Sequence, residues 1–302
     1  MRNTFVNTLY EEAKVDENII LITGDLGFQL FDDFQKNLPK QFINAGLTEQ
    51  SMMSMAAGIA STGKRVFVYS IGNFSTLRCL EQIRNDVCYM NNSVVVVSVG
   101  AGFAYGTLGY SHHATEDIAI MRSLPNMQVI SPCDQLETEV VTKILTKSVN
   151  PSYLRLGKTG EMNLNKSIPR IDRGHFNILT EGNDGYIFFT GSVGIIAQKA
   201  AHQLGKKGID VSLISVPFIS DLDKNYLKNM KTHVPVVVLE EHASRGGLGS
   251  AFMEALVSLK IQIELNHVYA NLENLTLTGD QEFLREANGI SESKIIKCFT
   301  KN

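Results

Sequence analysis

An α/β fold is expected, a parallel sheet with helices on both faces followed by a second, smaller α/β domain. Two patterns predict it. Short β-branched runs alternate with longer helical stretches along the whole chain, as in strands joined by crossover helices. Residues 151 to about 183 then break that rhythm with Pro151, Gly157, Gly160, Pro169, Gly174 and Gly182, turn formers that mark a boundary between two units. A chain of 302 residues, 44% of them hydrophobic and 20% charged, can fill two cores.

The elements follow in order. "NIILITGD" (18–25) reads as a strand and 47–62 as a helix with an apolar face. "RVFVYSIG" (65–72) is the next strand, "LRCLEQIRNDVCYM" (77–90) a helix and "SVVVVSVG" (93–100) a strand apolar enough to lie in mid-sheet. "MQVISPCD" and "QLETEVVTKILTKS" repeat the strand–helix unit, with Asp134 as N-cap. Beyond the boundary, "GYIFFTGSVG", "IDVSLISVPF", "VPVVVLEEH" and "IELNHVYA" read as strands, with "GGLGSAFMEALVSL" as a helix before the last.

Composition narrows the function. A formal net charge of -3 with scattered Lys and Arg offers no basic stripe for a phosphate backbone, so nucleic acid is not an expected partner. Cys79, Cys88, Cys133 and Cys298 lie far apart with no C-x-x-C pair, which predicts reduced core thiols and no metal site. The start of the chain carries Glu11, Glu12, Asp16 and Glu17 in place of a basic, apolar leader, and no apolar run reaches membrane length. A cytoplasmic protein without a membrane partner is expected.

Several local patterns could carry chemistry. In "NAGLTEQ" (44–50), Glu49 stands alone at the mouth of the apolar stretch "SMMSMAAGIASTG". It is either an acid favoured by the helix dipole, or a partly desolvated carboxylate able to share a proton with a ring nitrogen. "GAGFAYGTLGYSHHATED" (100–117) follows a very apolar strand, where open α/β sheets bind ligands, and ends in His112 and His113. These could move protons near neutral pH, or the stretch could be a capped helix entry. "EEHASRGGLGSAF" (240–252) fits neither phosphate-loop pattern and reads as tight strand-to-helix packing or a subunit contact. Asp25 ends a strand as a cap or a ligand-facing acid, and Arg155 could hold an anion or pair on the surface.

Taken in order, "TGDLG", "NAGLTEQSMMSMAAGIASTGKRVFVYSIGNF", "LRCLEQIRNDV", "GYSHHATEDIAIMRSLPNMQVISPCDQLE" and "YLRLG" resemble the pyrimidine-binding domain of transketolases and their relatives. "LEEHASRGGLGSAF" is similar to their C-terminal domain. The resemblance implies a pyrimidine-binding domain at 1–165, a linker at 166–183 and a C-terminal-like domain at 184–302. It also implies thiamine diphosphate as cofactor. Glu49 would hydrogen-bond N1′ of the aminopyrimidine and promote the imino tautomer that takes the C2 proton. Phe74 would pack on that ring, Asp25 would lie near the cofactor, His112 would handle substrate hydroxyl protons, and Arg155 would grip a sugar phosphate. Counting back from His112, Leu108 falls where sugar transketolases carry a hydroxyl-reading aspartate, and Gly100 where they carry a phosphate-binding histidine.

The family's G-D-G and asparagine, which hold the magnesium diphosphate, are matched by neither "TGDLG" nor "EGNDGY". The expectation is therefore the C-terminal subunit of a split transketolase. A separately encoded N-terminal subunit would bind Mg2+ (or Ca2+) with the diphosphate, in an α2β2 heterotetramer built on a dimer of this chain and acting on sugars or sugar phosphates. The alternatives are the β subunit of a 2-oxo acid dehydrogenase E1, a deoxyxylulose phosphate synthase-like enzyme, or a noncatalytic regulatory subunit.

Overall fold

Fully buried apolar segments, valine-rich in the first sheet and aromatic in the second, form the centre of each sheet. The computed structural model describes residues 1–27, 29–158 and 160–300; residues 301 and 302, the end of the expected second domain, lie outside it. Six strands, β1 (Ile19–Thr23), β2 (Phe42–Asn44), β3 (Arg65–Ile71), β4 (Val94–Val99), β5 (Gln128–Ile130) and β6 (Ser152–Leu156), form an all-parallel sheet in the order β2-β1-β3-β4-β6-β5. Every residue of β4 is buried, as expected of a mid-sheet strand covered on both faces. The second sheet holds β7 (Asn177–Thr180), β8 (Gly185–Phe189), β9 (Val211–Ser215), β10 (Val236–Leu239) and β11 (Leu265–Val268) in the order β11-β10-β8-β9-β7, with only β7 antiparallel.

The helix Glu49–Ala60 buries Met52, Met53, Ala56, Ala57 and Ala60, a 3.6-period stripe that packs beside β1 and β3. Two expectations need correcting. Residues 77–90 are not one regular helix: a short turn at Leu77–Cys79 and a single α turn lead into a wider helical turn at Ile83–Tyr89. Cys79, Ile83 and Val87 are buried at a spacing of four, longer than the α period, and the widened turn keeps them on one face. Residues 177–180, inside the stretch read as linker, form β7 because Asn177–Thr180 has an open edge of β9 to pair with.

The two sheets meet through backbone bonds at the β5 edge, where Ser131 N–H donates to Pro217 O (2.8 Å) and Ile219 N–H to Val129 O (2.9 Å). Strand order reverses at β1, and the loops after β1, β2, β3 and β4 all gather at the carboxyl edge of the first sheet, where such folds bind ligands.

Asp134 caps the helix Gln135–Lys147 as expected, its Oδ1 accepting from Glu137 N–H at 2.8 Å. Its other oxygen accepts from Leu164 N–H, Asn165 N–H and Asn165 Nδ2 at 2.8–2.9 Å, tying the boundary segment to the first domain. Asp134 is fully buried. Asp134→Ala is expected to cost about 3 kcal/mol or more, since it removes a cap and strands buried donors; urea unfolding measures the loss.

Candidate functional site

Glu49 is the first residue of its helix and is 4% exposed, so a carboxylate sits at the positive end of the helix dipole with little water around it. The cap before it, Thr48, turns its hydroxyl to Ala45 O (2.8 Å) and leaves the acid unengaged by the helix's own capping. Instead Arg78 reaches it, with Nη1 2.8 Å from Glu49 Oε1. The same guanidinium lies over the Phe74 ring, its Cζ 4.3 Å from the centroid. Phe74 in turn meets His112 edge to face, with centroids 5.3 Å apart. These contacts join Glu49, Phe74 and His112, from the loops after β2, β3 and β4, in one row through Arg78.

A groove of about 700 Å3 opens along the Phe74 and Arg78 part of that row, lined also by Asn73, Leu77, Tyr110, Ser111, Glu116 and Ile120. Backbone closeness makes it possible. A Cβ on Gly72 would come 2.8 Å from Ala114 Cβ, so the loops after β3 and β4 can approach only because residue 72 is glycine. Asn73 Nδ2 then ties them by donating to His113 O (2.7 Å) and Ser111 O (3.2 Å). Ser111 Oγ is 3.0 Å from His112 Nδ1, which orients that ring. His113, by contrast, is 3% exposed and edge-on to Phe103, a core residue whose pKa burial pushes down.

Asp25 adopts a positive φ of 58° and is exposed. Asn44 clips it to the loop that carries Glu49: Asn44 Oδ1 accepts from Asp25 N–H and Gly46 N–H, both at 3.0 Å, and Asn44 Nδ2 donates to Asp25 Oδ1. Of the two departures from the sugar-transketolase pattern, Leu108 is 56% exposed. Gly100 has a φ of 100°, and a Cβ there would fall 2.3 Å from the Tyr105 ring, so the space a side chain would take is already filled.

Arg155 is not a substrate-facing residue. It is 2% exposed, with Nε on Asp117 Oδ2 at 2.6 Å and Nη2 on Ala114 O (2.7 Å) and Glu241 O (3.0 Å). Burial alone would weaken the cation, but Asp117 beside it more than reverses that and raises its pKa. It sits near the carboxyl end of β6, with its guanidinium turned into the joint between the domains and bonded to the loop after β4. Glu240 and Glu241, in the glycine-rich stretch, are likewise structural. Glu240 accepts from Leu248 N–H and Gly249 N–H and pairs with His267 Nε2 at 2.8 Å; burial pushes its carboxyl up, but His267 and the other partners hold it below its ordinary range. Glu241 Oε1 accepts from Phe103 N–H at 2.8 Å, and its other oxygen pairs with Arg285.

Sequence reasoning missed Arg78 and Asn73. Arg78 is four residues after Phe74, the spacing at which a helical turn brings a cation over an aromatic, and that was the available signal. Among the described residues, no group of three or more His, Cys, Asp and Glu could hold a metal, and no helix is long and apolar enough to cross a membrane. Glu49 offers a buried carboxylate and Phe74 an aromatic face, the two groups that an aminopyrimidine ring would use.

The family model "Transketolase, pyrimidine binding domain" matches residues 1–160, and "Transketolase, C-terminal domain" matches 174–295. An apulose-4-phosphate transketolase subunit of Phocaeicola vulgatus is 33% identical over 267 residues, 87% of this chain and 86% of that one. A putative transketolase C-terminal section of Methanocaldococcus jannaschii is 36% identical over 300 residues, 98% of this chain and 94% of that one. A solved split gene transketolase, an inactive beta4 tetramer, superposes with a TM-score of 0.90 at 31% identity, covering 99% of this chain and 96% of that one.

Arg155→Met is expected to lower stability by about 3–5 kcal/mol, because it leaves Asp117 charged and buried without its partner. Denaturant melts measure this. A selective rise in KM for phosphorylated sugars, with stability intact, would restore Arg155 to the substrate site.

Proposed function

We propose a role for this chain from what it is: it belongs to the transketolase family, as a transferase subunit of the C-terminal kind found in split transketolases, and so depends on thiamine diphosphate. In our reading it supplies the pyrimidine-binding half of the site, and a separately encoded subunit supplies the Mg2+ and diphosphate half. The relatives named as a transketolase subunit, as a C-terminal section and as a split-gene product support a partner subunit. A dimer of this chain within an α2β2 assembly extends the same reading.

One observation carries the assignment: the buried Glu49 is joined through Arg78 to Phe74, an aromatic wall of the groove that also touches His112. When bound, thiamine diphosphate supplies an acidic C2–H whose loss gives a carbon nucleophile for ketol transfer. Glu49 holds or gives a proton at the ring nitrogen, and its scarce hydration strengthens that bond. Phe74 orients the ring. His112, part-buried with its Nδ1 at Ser111, faces the substrate side and moves hydroxyl protons. Asp25, clipped by Asn44 to the Glu49 loop, lines the cofactor's approach.

In the enzyme reconstituted with its partner, Glu49→Gln should cut turnover by about two to four powers of ten and slow hydrogen–deuterium exchange at C2 of the cofactor. His112→Ala should impair sugar turnover while leaving that exchange close to wild type. Exchange unaffected by Glu49→Gln would refute the reading.

Acceptor choice is also open to test. Leu108 cannot accept a hydroxyl's hydrogen bond, and Tyr105 fills the space beside Gly100, so two polar contacts of ordinary sugar transketolases are replaced. Ribose 5-phosphate is expected to give a lower kcat/KM than a deoxy or otherwise modified sugar acceptor. A steady-state comparison of acceptors decides it, and the opposite ranking would mean that these positions do not set selectivity.

A further inference from the structure

Arg78 combines three properties that no structural role requires together. Its planar guanidinium lies over the Phe74 ring, with Cζ 4.3 Å from the centroid. It donates to Glu49 Oε1 at 2.8 Å. Its side chain is 50% exposed whereas that of Glu49 is 5% exposed, so the cation can swing into solvent while the acid cannot follow. A planar, nitrogen-rich group that stacks on Phe74 and donates to Glu49 makes the two contacts assigned above to the aminopyrimidine ring. Two such groups cannot share one aromatic face and one carboxylate oxygen.

We propose that Arg78 is a displaceable stand-in for the cofactor's aminopyrimidine, one that holds Glu49 in place in the free subunit and leaves when the ring enters. This rests on Glu49 being the ring-facing acid. A buried carboxylate stripped of its partner is unfavourable, so the free chain gains from the pair. Cofactor entry must then break both Arg78 contacts, and the observed affinity is reduced by what they were worth. No other cation is paired with Glu49 among the described residues, which makes Arg78 the group that fills this place before loading.

The test is calorimetric titration of thiamine diphosphate, at fixed Mg2+, into the reconstituted complex, beside thermal melts of the free chain. Arg78→Gln should tighten cofactor binding by about tenfold, the joint worth of a half-exposed ion pair and a cation–π contact. It should also lower the Tm of the free chain by roughly 2–4 °C. Arg78→Lys keeps a cation for Glu49 but no planar face for Phe74, so it guards against a folding defect and should bind cofactor with an affinity between the two. Unchanged or weaker binding in both variants overturns the inference, because Arg78 would then be a bystander or a permanent part of the cofactor site. Glu49→Gln separates the levels. If it slows C2 exchange while the Arg78 variants leave affinity unchanged, the stand-in idea alone fails; if it leaves exchange untouched, the reading of Glu49 fails first.

Discussion

Everything near the groove hangs on one buried cation. Arg155 rises from β6 into the joint between the sheets, where Asp117 neutralises it and the carbonyls of Ala114 and Glu241 accept from its Nη2. Tyr153, two residues earlier on the same face, donates to the same Asp117 oxygen at 2.6 Å. The chain from Ala114 to Asp117 follows directly on His112 and His113, so a guanidinium in the core sets where the exposed histidine loop ends. A buried pair of this kind adds little net stability against an apolar alternative, but it is costly to break halfway and therefore fixes geometry. Here it fixes the histidine loop and the second domain at once.

The second domain reinforces that geometry from its own side. Three consecutive residues after β10 turn to three tasks. Glu240 fastens the N-terminus of the helix Leu248–Leu259, Glu241 accepts Phe103 N–H from the first domain, and His242 Nε2 accepts Ala119 N–H at 3.3 Å. Gly102 presses against the Glu241 side chain so closely that a Cβ would fall 2.4 Å from its Cγ. The loop after β4 is thus clamped by the C-terminal domain at 102–103 and by Asn73 at 111 and 113. The part between these clamps, from Thr107 to His112, keeps exposed surface.

The fold was legible because its signals are local and repeated. β-branched runs bounded by turn residues cannot be mistaken once helices alternate with them, and Asp134 announced its cap by standing just before a helical pattern. The burial of Glu49 was legible for a different reason: a single charge at the head of "SMMSMAAGIA" stands against an apolar helix face and is carried under with it. Arg155 misled because burial of a charge depends on which element packs over it, and that element, the turn after β10, lies more than eighty residues away. The broken helix at 77–89 was hidden because its spacing of four differs from the α period by less than half a residue per turn. Phe74 and Arg78 sit at the start of that irregular stretch, where periodicity says least.

The irregularity has a use that follows from position. A regular α-helix beginning at residue 77 would satisfy its own backbone and keep its side chains on a fixed spiral. The segment Gly72–Cys79 instead runs through two short turns, with Thr76 Oγ1 and Ser98 Oγ both donating to Gly72 O and Ser75 Oγ paired with Ser98 Oγ at 2.6 Å. The backbone is held from β4, while Phe74, Leu77 and Arg78 are left on the groove side, two of them exposed. A rigid floor carrying side chains that can change partners is what a site needs if it must receive a flat ring between an acid and an aromatic wall. The cost in local helical regularity is met by buried hydroxyl bonds that lie away from the groove, so the side chains can move without loosening the sheet beneath them.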